Sequence, residues 1–403
     1  MNGRPSWLEP LRHRDYSLLV FGRLLSLVGT QATNVAIAWQ VYELTGDPLA
    51  LGGIGLARIL PITVVALAGG VFADAFDRRS LLVATAVAGA CTSAVLAWAT
   101  FAGAVTLPLL YACAAVGGAV TAFDNPARQA LLPNLVPREV LGRALSLGTA
   151  SFHAASVVGP AVGGVLLARA GAEWVYVVDG VSYFAVVGTC LLMRFRSAPA
   201  NVRPSFAAVL EGIAFLRRTP VLRSTMMLDF FATFLAGATQ LFPIFAGDLF
   251  DVGPEGLGML FAAPSIGAGA MAILLAVRSP PKRAGAWILG SVAVYGAAMA
   301  GFGLVPWFWV GVGLLALAGA ADTISAVLRQ VLRQVLTPDE LRGRLSSLQM
   351  IFFMGGPQLG EMEAGLVASA WNVRGAVWSG GVGAVVLTAY YAWRAPWLRR
   401  HRL

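Results

Sequence analysis

The chain has 403 residues, of which 58% are hydrophobic and only 12% are charged, and its mean hydropathy is +0.73. A soluble protein of this size would carry about 25% charged residues, so the composition excludes an ordinary soluble protein. The net charge of +9 comes almost entirely from arginine. Cys91, Cys113 and Cys190 form neither a disulfide framework nor a metal-binding pattern, so we expect no metal and no cofactor.

Apolar segments of about 20 residues follow one another along the whole chain, and a helix of that length crosses a bilayer. The sequence predicts an all-α membrane protein with 12 transmembrane helices, embedded in the lipid bilayer. The first segment lacks the cleavage site of a signal peptide, so we expect it to be retained. The segments lie near 16–42, 48–73, 80–102, 104–125, 142–168, 173–194, 221–247, 255–277, 284–304, 306–328, 345–370 and 373–394.

The basic residues alternate with these segments in a regular way. If the N-terminus is cytoplasmic, all but four of the 29 Lys and Arg residues fall on the cytoplasmic side. Such a bias is the positive-inside rule, and it predicts that both termini are cytoplasmic. The charge therefore reflects topology, and no nucleic-acid partner is expected. Without an organelle signal, a bacterial plasma (inner) membrane is the expected location. The exceptions are Arg23, Arg58, Arg169 and Arg374.

The second half of the chain repeats the first at a shift of 201 positions. Ten residues recur without a gap: Arg128, Gln129, Pro137, Glu139, Gly142, Arg143, Ser146, Leu147, Gly159 and Gly164 match Arg329, Gln330, Pro338, Glu340, Gly343, Arg344, Ser347, Leu348, Gly360 and Gly365. Internal repeats in an apolar chain are typical of transporters whose substrate binds between the halves. We predict two pseudo-symmetric six-helix bundles, 1–194 and 221–403.

Residues 195–220 form the longest polar interval and are predicted to be a cytoplasmic linker. Apolar residues recur there at helical spacing from Phe206 to Leu216, while Arg217 and Arg218 supply the polar side. This pattern favours an amphipathic helix at the membrane surface, with a plain linker as the alternative.

A short motif follows the second segment, in which Gly70, Asp74, Arg78 and Arg79 are spaced around a turn. It resembles the signature of the major facilitator superfamily. Asp77 stands where that signature has glycine, as in the drug:proton antiporter-3 group, which includes macrolide and enterobactin exporters.

The resemblance implies a cytoplasmic gate in which this loop braces one half against the other. A carboxylate at Asp74 is favoured near a helix N-terminus, and Arg342 and Arg344, where span eleven begins, are its expected partners. The alternative is a solvated basic turn that only fixes topology.

The fifth segment contains Gly159, Pro160, Gly163 and Gly164, which resemble the antiporter signature of drug exporters. Glycines four residues apart share a helix face and allow close helix approach, while proline loosens the helix. A tight, pliant packing that prevents ion leak is the functional interpretation. Simple packing of small residues is the alternative.

Charged residues inside the segments are the candidate functional groups, because each costs about 2.5–3.5 kcal/mol at the centre of a membrane helix. A buried acid can exchange a proton as a cavity changes sides, and the candidates for proton coupling are Asp229, Glu361 and, third, Asp322. Structural ion pairs are the alternative. Arg58, Arg23 and Glu363 are candidates for the substrate cavity, and Arg58 could bind an anionic substrate or pair with a carboxylate.

No catalytic motif is present, and the sole lysine, Lys282, follows two prolines rather than a phosphate-binding loop. An enzyme is therefore not expected, and the energy for transport must come from a gradient. By resemblance, we expect a monomeric proton-coupled exporter of a small organic molecule that works by alternating access. A lysophospholipid translocase of the same fold and a non-transporting membrane sensor or assembly partner remain alternatives.

Overall fold

A computed structural model describes residues 8–72, 77–195, 206–277, 281 and 283–400, and every regular element in these ranges is helical. Short 3-10 or π turns occur at Glu9–Arg12, Leu132–Asn134, Thr239–Leu241 and Phe245–Leu249. The α-helices are α1 Arg14–Thr45, α2 Pro48–Phe72, α3 Arg78–Phe101, α4 Leu107–Leu131, α5 Arg138–Ala170, α6 Ala172–Leu192, α7 Phe206–Arg218, α8 Pro220–Ala236, α9 Phe242–Ile244, α10 Gly253–Val277, α11 Ala284–Leu304, α12 Phe308–Leu336, α13 Asp339–Ala370, α14 Val373–Arg394 and α15 Pro396–Arg400.

Within the described ranges, nine helical segments are long and apolar enough to cross a membrane. They are α1, α3, α4, α5, α6, the segment Pro220–Leu249 that joins α8 to α9, α10, α11 and α12. The prediction of an all-helical membrane protein is therefore confirmed. Of the remaining long helices, α14 with 22 residues would span about 33 Å at 1.5 Å per residue, and α2 and α13 are longer still.

The chain forms two compact units. Unit 1 comprises Met1–Gln40 and Leu60–Pro204, and unit 2 comprises Val41–Ile59 and Ser205–Leu403. The end of α1 and the first half of α2 thus belong to unit 2, although the rest of both helices belongs to unit 1.

In unit 1, α3 packs against α4 and α6, and α5 packs against α6. The core at one end gathers apolar side chains from several helices around Tyr16, which is fully buried. Its hydroxyl donates a hydrogen bond to the carbonyl of Ala144 at 2.8 Å, so the aromatic ring can be buried without leaving a polar atom unsatisfied.

In unit 2, α11 packs against α12 and α14, α10 packs against α12, and α8 packs against α13 and α14. A cluster of phenylalanines fills the space beside the break after α8. Phe302 is its centre, with ring centroids 4.5 Å from Phe245 and 5.5 Å from Phe242. Such aromatic pairs contribute about 0.5–1.5 kcal/mol beyond their buried area.

The sequence repeat corresponds to a repeat of helices. Adding 201 to the bounds of α3, α4, α5 and α6 gives 279–302, 308–332, 339–371 and 373–393, which fall on α11, α12, α13 and α14. The packing repeats as well, since the contacts of α3 with α4 and α6 have counterparts in those of α11 with α12 and α14. Each half therefore builds the same local arrangement from its own copy of the sequence.

Two helices are longer than the sequence analysis predicts. The fourth and tenth spans were expected to end near 125 and 328, which left Arg128 and Arg329 among the cytoplasmic charges. They lie within α4 and α12, where Arg128 is only 5% exposed and the Arg329 side chain 10% exposed. Each helix continues past its arginine because the guanidinium has an anionic partner inside the protein.

In the linker, α7 covers Phe206–Arg218. Leu216, near its end, packs with Leu222 of α8 and Leu345 of α13, which attaches the helix to unit 2. Glu211, Arg217 and Arg218 are exposed.

Candidate functional site

Unit 2 contains a buried cluster of opposite charges. An Arg329 guanidinium nitrogen lies 2.7 Å from a carboxylate oxygen of Asp229 and 3.8 Å from one of Asp322. The side chains of Arg329 and Asp229 are 10% and 13% exposed, whereas that of Asp322 is 43% exposed. In the part of the chain that the structure describes, no other cation lies within 4.0 Å of either acid.

Helix geometry explains this convergence. Asp322 and Arg329 are seven residues apart on α12, so they lie two turns apart on the same face. Ser325, one turn before the arginine, accepts a second hydrogen bond from its guanidinium. Asp229 comes from α8, which packs against α12. One guanidinium therefore faces two carboxylates, and the cluster as a whole carries a charge of −1 when both acids are ionised.

A second pair of opposite charges in unit 2 lies on α2 and α13. Arg58 and Glu361 interact electrostatically, and the side chain of Gln240 hydrogen-bonds to the Glu361 carboxylate. Glu361 is 9% exposed and Gln240 is 2% exposed. Of the two roles that the sequence analysis left open for Arg58, the structure provides the carboxylate partner. Glu363 is half-buried on another face of α13.

Glycines allow the backbones of α2 and α13 to lie close together. A Cβ added to Gly55 would lie 2.5 Å from the carbonyl oxygen of Gln358 and 2.6 Å from a carboxylate oxygen of Glu361. One added to Gly365 would lie 2.7 Å from the carbonyl oxygen of Pro48. Residues 48–59 thus pack directly on α13, as small residues allow in membrane helices.

Unit 1 has its own charge cluster at the end of α4. The Arg128 Nε lies 2.5 Å from a carboxylate oxygen of Asp124, one turn earlier on the same helix. Arg23 of α1 interacts electrostatically with both residues and lines the same small cavity. Here two cations face one acid, which is the opposite of the arrangement in unit 2.

A further acid, Asp179 of α6, lies in the core of unit 1 at 2% exposure. One of its carboxylate oxygens accepts hydrogen bonds from Ser93 at 2.7 Å and from Thr33 at 3.0 Å. These donors come from α3 and α1, so the acid ties three helices together. Such a group has a structural role that its sequence position did not reveal.

The predicted cytoplasmic gate is described only in part. Gly70 lies in α2; Asp74 and the side chains of Arg342 and Arg344 lie outside the described residues. Asp77 caps α3 by accepting from the backbone N–H of Ser80 at 3.1 Å. Arg78 donates to the carbonyl of Ala130 at 2.8 Å, and Arg79 donates to the carbonyls of Leu191 and Met193 at the C-terminal end of α6. The two arginines therefore satisfy carbonyls at helix C-termini, where a cation is favoured.

The glycine motif of α5 is a site of close packing within unit 1. A Cβ on Gly159 would lie 2.7 Å from the carbonyl oxygen of Val28, and one on Gly163 would lie 2.7 Å from the Cα of Ala32. Both neighbours belong to α1. Pro160 and Gly164 are buried as well.

Sequence reasoning listed Asp229 and Asp322 but missed Arg329, Asp124 and Arg128 as buried partners. A signal was available, because Arg128 and Arg329 are matched positions of the repeat. A basic residue that recurs at the same place in both halves is more informative than one that occurs once, and its recurrence marks it as a candidate for a buried charge.

Apolar helices of membrane-spanning length with charged clusters in their interior are typical of multi-pass membrane transporters. The chain matches the model of the family described as "Transmembrane secretion effector" over residues 5–398. It belongs to this family, and thereby to the major facilitator superfamily of transporters, whose members are not enzymes.

Two relatives match most of the chain. The enterobactin exporter EntS of Shigella boydii serotype 18 is 25% identical over 410 residues, covering 99% of this chain and 97% of that protein. The multidrug efflux pump Tap of Mycolicibacterium fortuitum is 28% identical over 366 residues, covering 88% and 89%.

Solved structures share the fold. A bacterial homologue of the iron transporter ferroportin in an inward-facing state has a TM-score of 0.70 at 17% identity, covering 96% of this chain and 99% of that one. A bacterial homologue of the lysosomal transporter Spinster has a TM-score of 0.71 at 15% identity, covering 96% of each. At such low identity these likenesses establish the fold and nothing about substrate.

Proposed function

We propose that this chain is a proton-coupled exporter of a small organic molecule, built from 12 transmembrane helices in two six-helix bundles and working by alternating access. Its location would be a bacterial inner membrane, with both termini cytoplasmic. Relatives that export enterobactin or multiple drugs, matched over most of their lengths, support export and a substrate of that size.

The observation that carries the coupling proposal is the unequal sharing of Arg329 by two acids. One guanidinium can neutralise one carboxylate, and Asp229 at 2.7 Å is the closer of the two. Asp322, at 3.8 Å and 43% exposed, is the acid in excess. A proton on this acid would make the cluster neutral, and a net charge inside a membrane protein is costly. We therefore assign the exchangeable proton to Asp322 and the structural ion pair to Asp229.

The pair of Arg58 and Glu361 supports a second element of the mechanism. It lies where residues 48–59, from the first half of the sequence, pack as part of unit 2. We infer that Glu361 contributes to coupling by exchanging its arginine partner for a proton.

The test uses the full chain in proteoliposomes with an imposed pH gradient and an internal pH-sensitive dye. Enterobactin, a panel of fluorescent drug cations and a lysophospholipid are supplied in turn. We expect one of the first two classes to drive proton movement. Asp322→Asn keeps the size of the side chain and should abolish proton movement while substrate still exchanges down its own gradient.

Glu139→Gln is the matched control, because Glu139 is an exposed acid in the first turn of α5. It should behave as the unmodified chain does. Folded protein that moves no protons with any compound would refute the coupling. Flux of the lysophospholipid alone would favour the lipid translocase of the same fold, for which an apolar cavity of about 370 Å³ between α10, α11 and α12 is the supporting feature.

A further inference from the structure

A small polar cavity of about 100 Å³ lies inside unit 1, between α1, α3, α4 and α6. Its polar lining includes Arg23, Asn125, Arg128, Thr30 and Tyr183. The last two hydroxyls lie 3.1 Å apart and share one hydrogen bond. The carboxylate of Asp124 and the hydroxyls of Ser26, Thr85 and Thr121 also line the cavity. Arg23, Asn125 and Arg128 supply most of its N–H donors.

Donors outnumber acceptors at this site. Arg128 is 5% exposed, and its Nη1 has no hydrogen-bond partner among the described residues, since its ion pair with Asp124 uses Nε. Within the same ranges, Arg23 makes no ion pair within 4.0 Å and the Asn125 amide makes no hydrogen bond. Two guanidiniums and one carboxylate leave a charge of +1.

A buried guanidinium nitrogen without an acceptor is unfavourable, because desolvation of a charged donor is repaid only by a strong hydrogen bond. A small anion would supply the missing acceptor and cancel the net charge at once. Arginine suits this purpose, since its planar fork binds carboxylates and similar anions through paired N–H groups.

We propose that this cavity is a binding site for one small anion, a carboxylate or an inorganic ion, held by Arg23, Asn125 and the free edge of Arg128. Asp124 orients Arg128 and limits the affinity, because its carboxylate competes for the same guanidinium. The site is separate from the acidic cluster around Arg329, and its occupancy does not depend on proton coupling. The volume fits formate, acetate or chloride but not a large polyol anion.

The first experiment measures thermal unfolding of the purified full chain in detergent. Sodium formate, sodium acetate or sodium chloride is titrated at constant ionic strength against sodium gluconate. A saturable rise of about 2 °C or more is expected with the small anions, because a ligand that binds only the folded state stabilises it by mass action. If the small anions and gluconate give the same curve, the proposal is overturned.

Two substitutions with opposite expected effects separate binding from structure. Arg23→Gln should weaken formate binding by about tenfold or more, since it removes a charge-assisted hydrogen bond. Asp124→Asn should strengthen binding by a similar factor, because the competing charge is gone. A merely structural cluster would not produce an affinity gain from the loss of an ion pair.

Arg138→Gln is the matched control, because Arg138 is an exposed arginine at the start of α5, and it should bind formate with unchanged affinity. Formate affinities that are the same in all three variants would also overturn the proposal.

A series of carboxylates from formate to octanoate then identifies the source of the anion. Affinity that falls with chain length indicates a free small ion, and affinity that is retained indicates the carboxylate end of a larger molecule.

Binding in detergent requires no transport. If no anion binds, the proton-coupling proposal is unaffected. If the proton-coupling test fails, the anion-site proposal is unaffected.

Discussion

The contact between residues 48–59 and α13 makes a quantitative prediction for Gly55→Ala. The new methyl group would lie 2.5 Å from the carbonyl oxygen of Gln358 and within 2.9 Å of two atoms of Glu361. An ordinary contact begins at 3.4 Å, so the helices must separate by about 0.9 Å. The carbonyl belongs to the backbone of α13 and cannot rotate away, so the strain falls on the packing of the helices.

Overpacking of this kind costs about 1–3 kcal/mol. Replacing glycine by alanine in a helix also brings a gain of about 0.8–1 kcal/mol, which partly hides the cost. Gly269→Ala in α10 isolates the packing contribution, because Gly269 is also a mid-helix glycine of unit 2 and its added Cβ would meet nothing within 4 Å. The difference between the two variants is therefore expected to be about 1–3 kcal/mol in favour of Gly269→Ala.

Unfolding in mixed micelles at increasing SDS fractions measures the difference in stability. Hydrogen exchange shows where the structure is destabilised. Separation of the helices should speed amide exchange in residues 48–59 and in the part of α13 that faces them. Equal stability of the two variants, or faster exchange spread evenly over unit 2, would refute the close backbone contact.

Two further predictions concern the buried acids. Asp229→Asn should destabilise the folded chain by about 3–5 kcal/mol, because Arg329 loses its closest partner in a buried pair. Asp322→Asn should cost much less, because that carboxylate is more distant and more exposed. Thermal unfolding of both variants measures this order, and equal losses of stability would contradict the assignment of roles. Ser93→Ala should lower the stability by about 1–3 kcal/mol, because Asp179 loses a hydrogen-bond donor at 2.7 Å. Thr92→Ala is its control, because that hydroxyl donates only within its own helix. Equal unfolding midpoints of the two variants would show that Asp179 does not depend on the Ser93 hydroxyl.

The sequence was sufficient to predict the helices, because membrane segments must be apolar over a fixed length and carry their charges at the ends. It also predicted the repeat, which the helix bounds reproduce from α3 to α6. The acids Asp229, Asp322 and Glu361 could be identified as candidates because a charge in an apolar segment is conspicuous, and their role in coupling stays a prediction. The linker helix, too, follows from its helical spacing.

Partners across helices could not be predicted in the same way. The pairing of charges between helices depends on how each helix is rotated about its own axis. The apolar pattern says little about that rotation, because faces that pack on other helices and faces that contact lipid are both apolar. The length of a span is equally uncertain where it ends in a paired charge. Arg128 and Arg329 were counted only as cytoplasmic charges for this reason, and so the ion pairs of both units were missed.

The repeat helps to explain why the buried charge clusters of the two units have opposite net charge. Matched arginines, Arg128 and Arg329, occupy equivalent places on α4 and α12. Adding 201 to Asp124 gives Ser325, so the second copy has a serine where the first has the acid, one turn before the arginine, and this hydroxyl binds the guanidinium.

The guanidinium of the second copy pairs with Asp229 from a neighbouring helix and also faces Asp322, whereas the first copy has a second cation nearby, Arg23. The matched arginine thus has an excess of acid around it in unit 2 and an excess of base in unit 1. An excess buried charge of either sign favours binding of an ion of the other sign, and the two proposals above assign a proton to the first case and an anion to the second. Divergence at a few positions around a duplicated arginine would therefore be sufficient to give the two halves different ligands on the same scaffold.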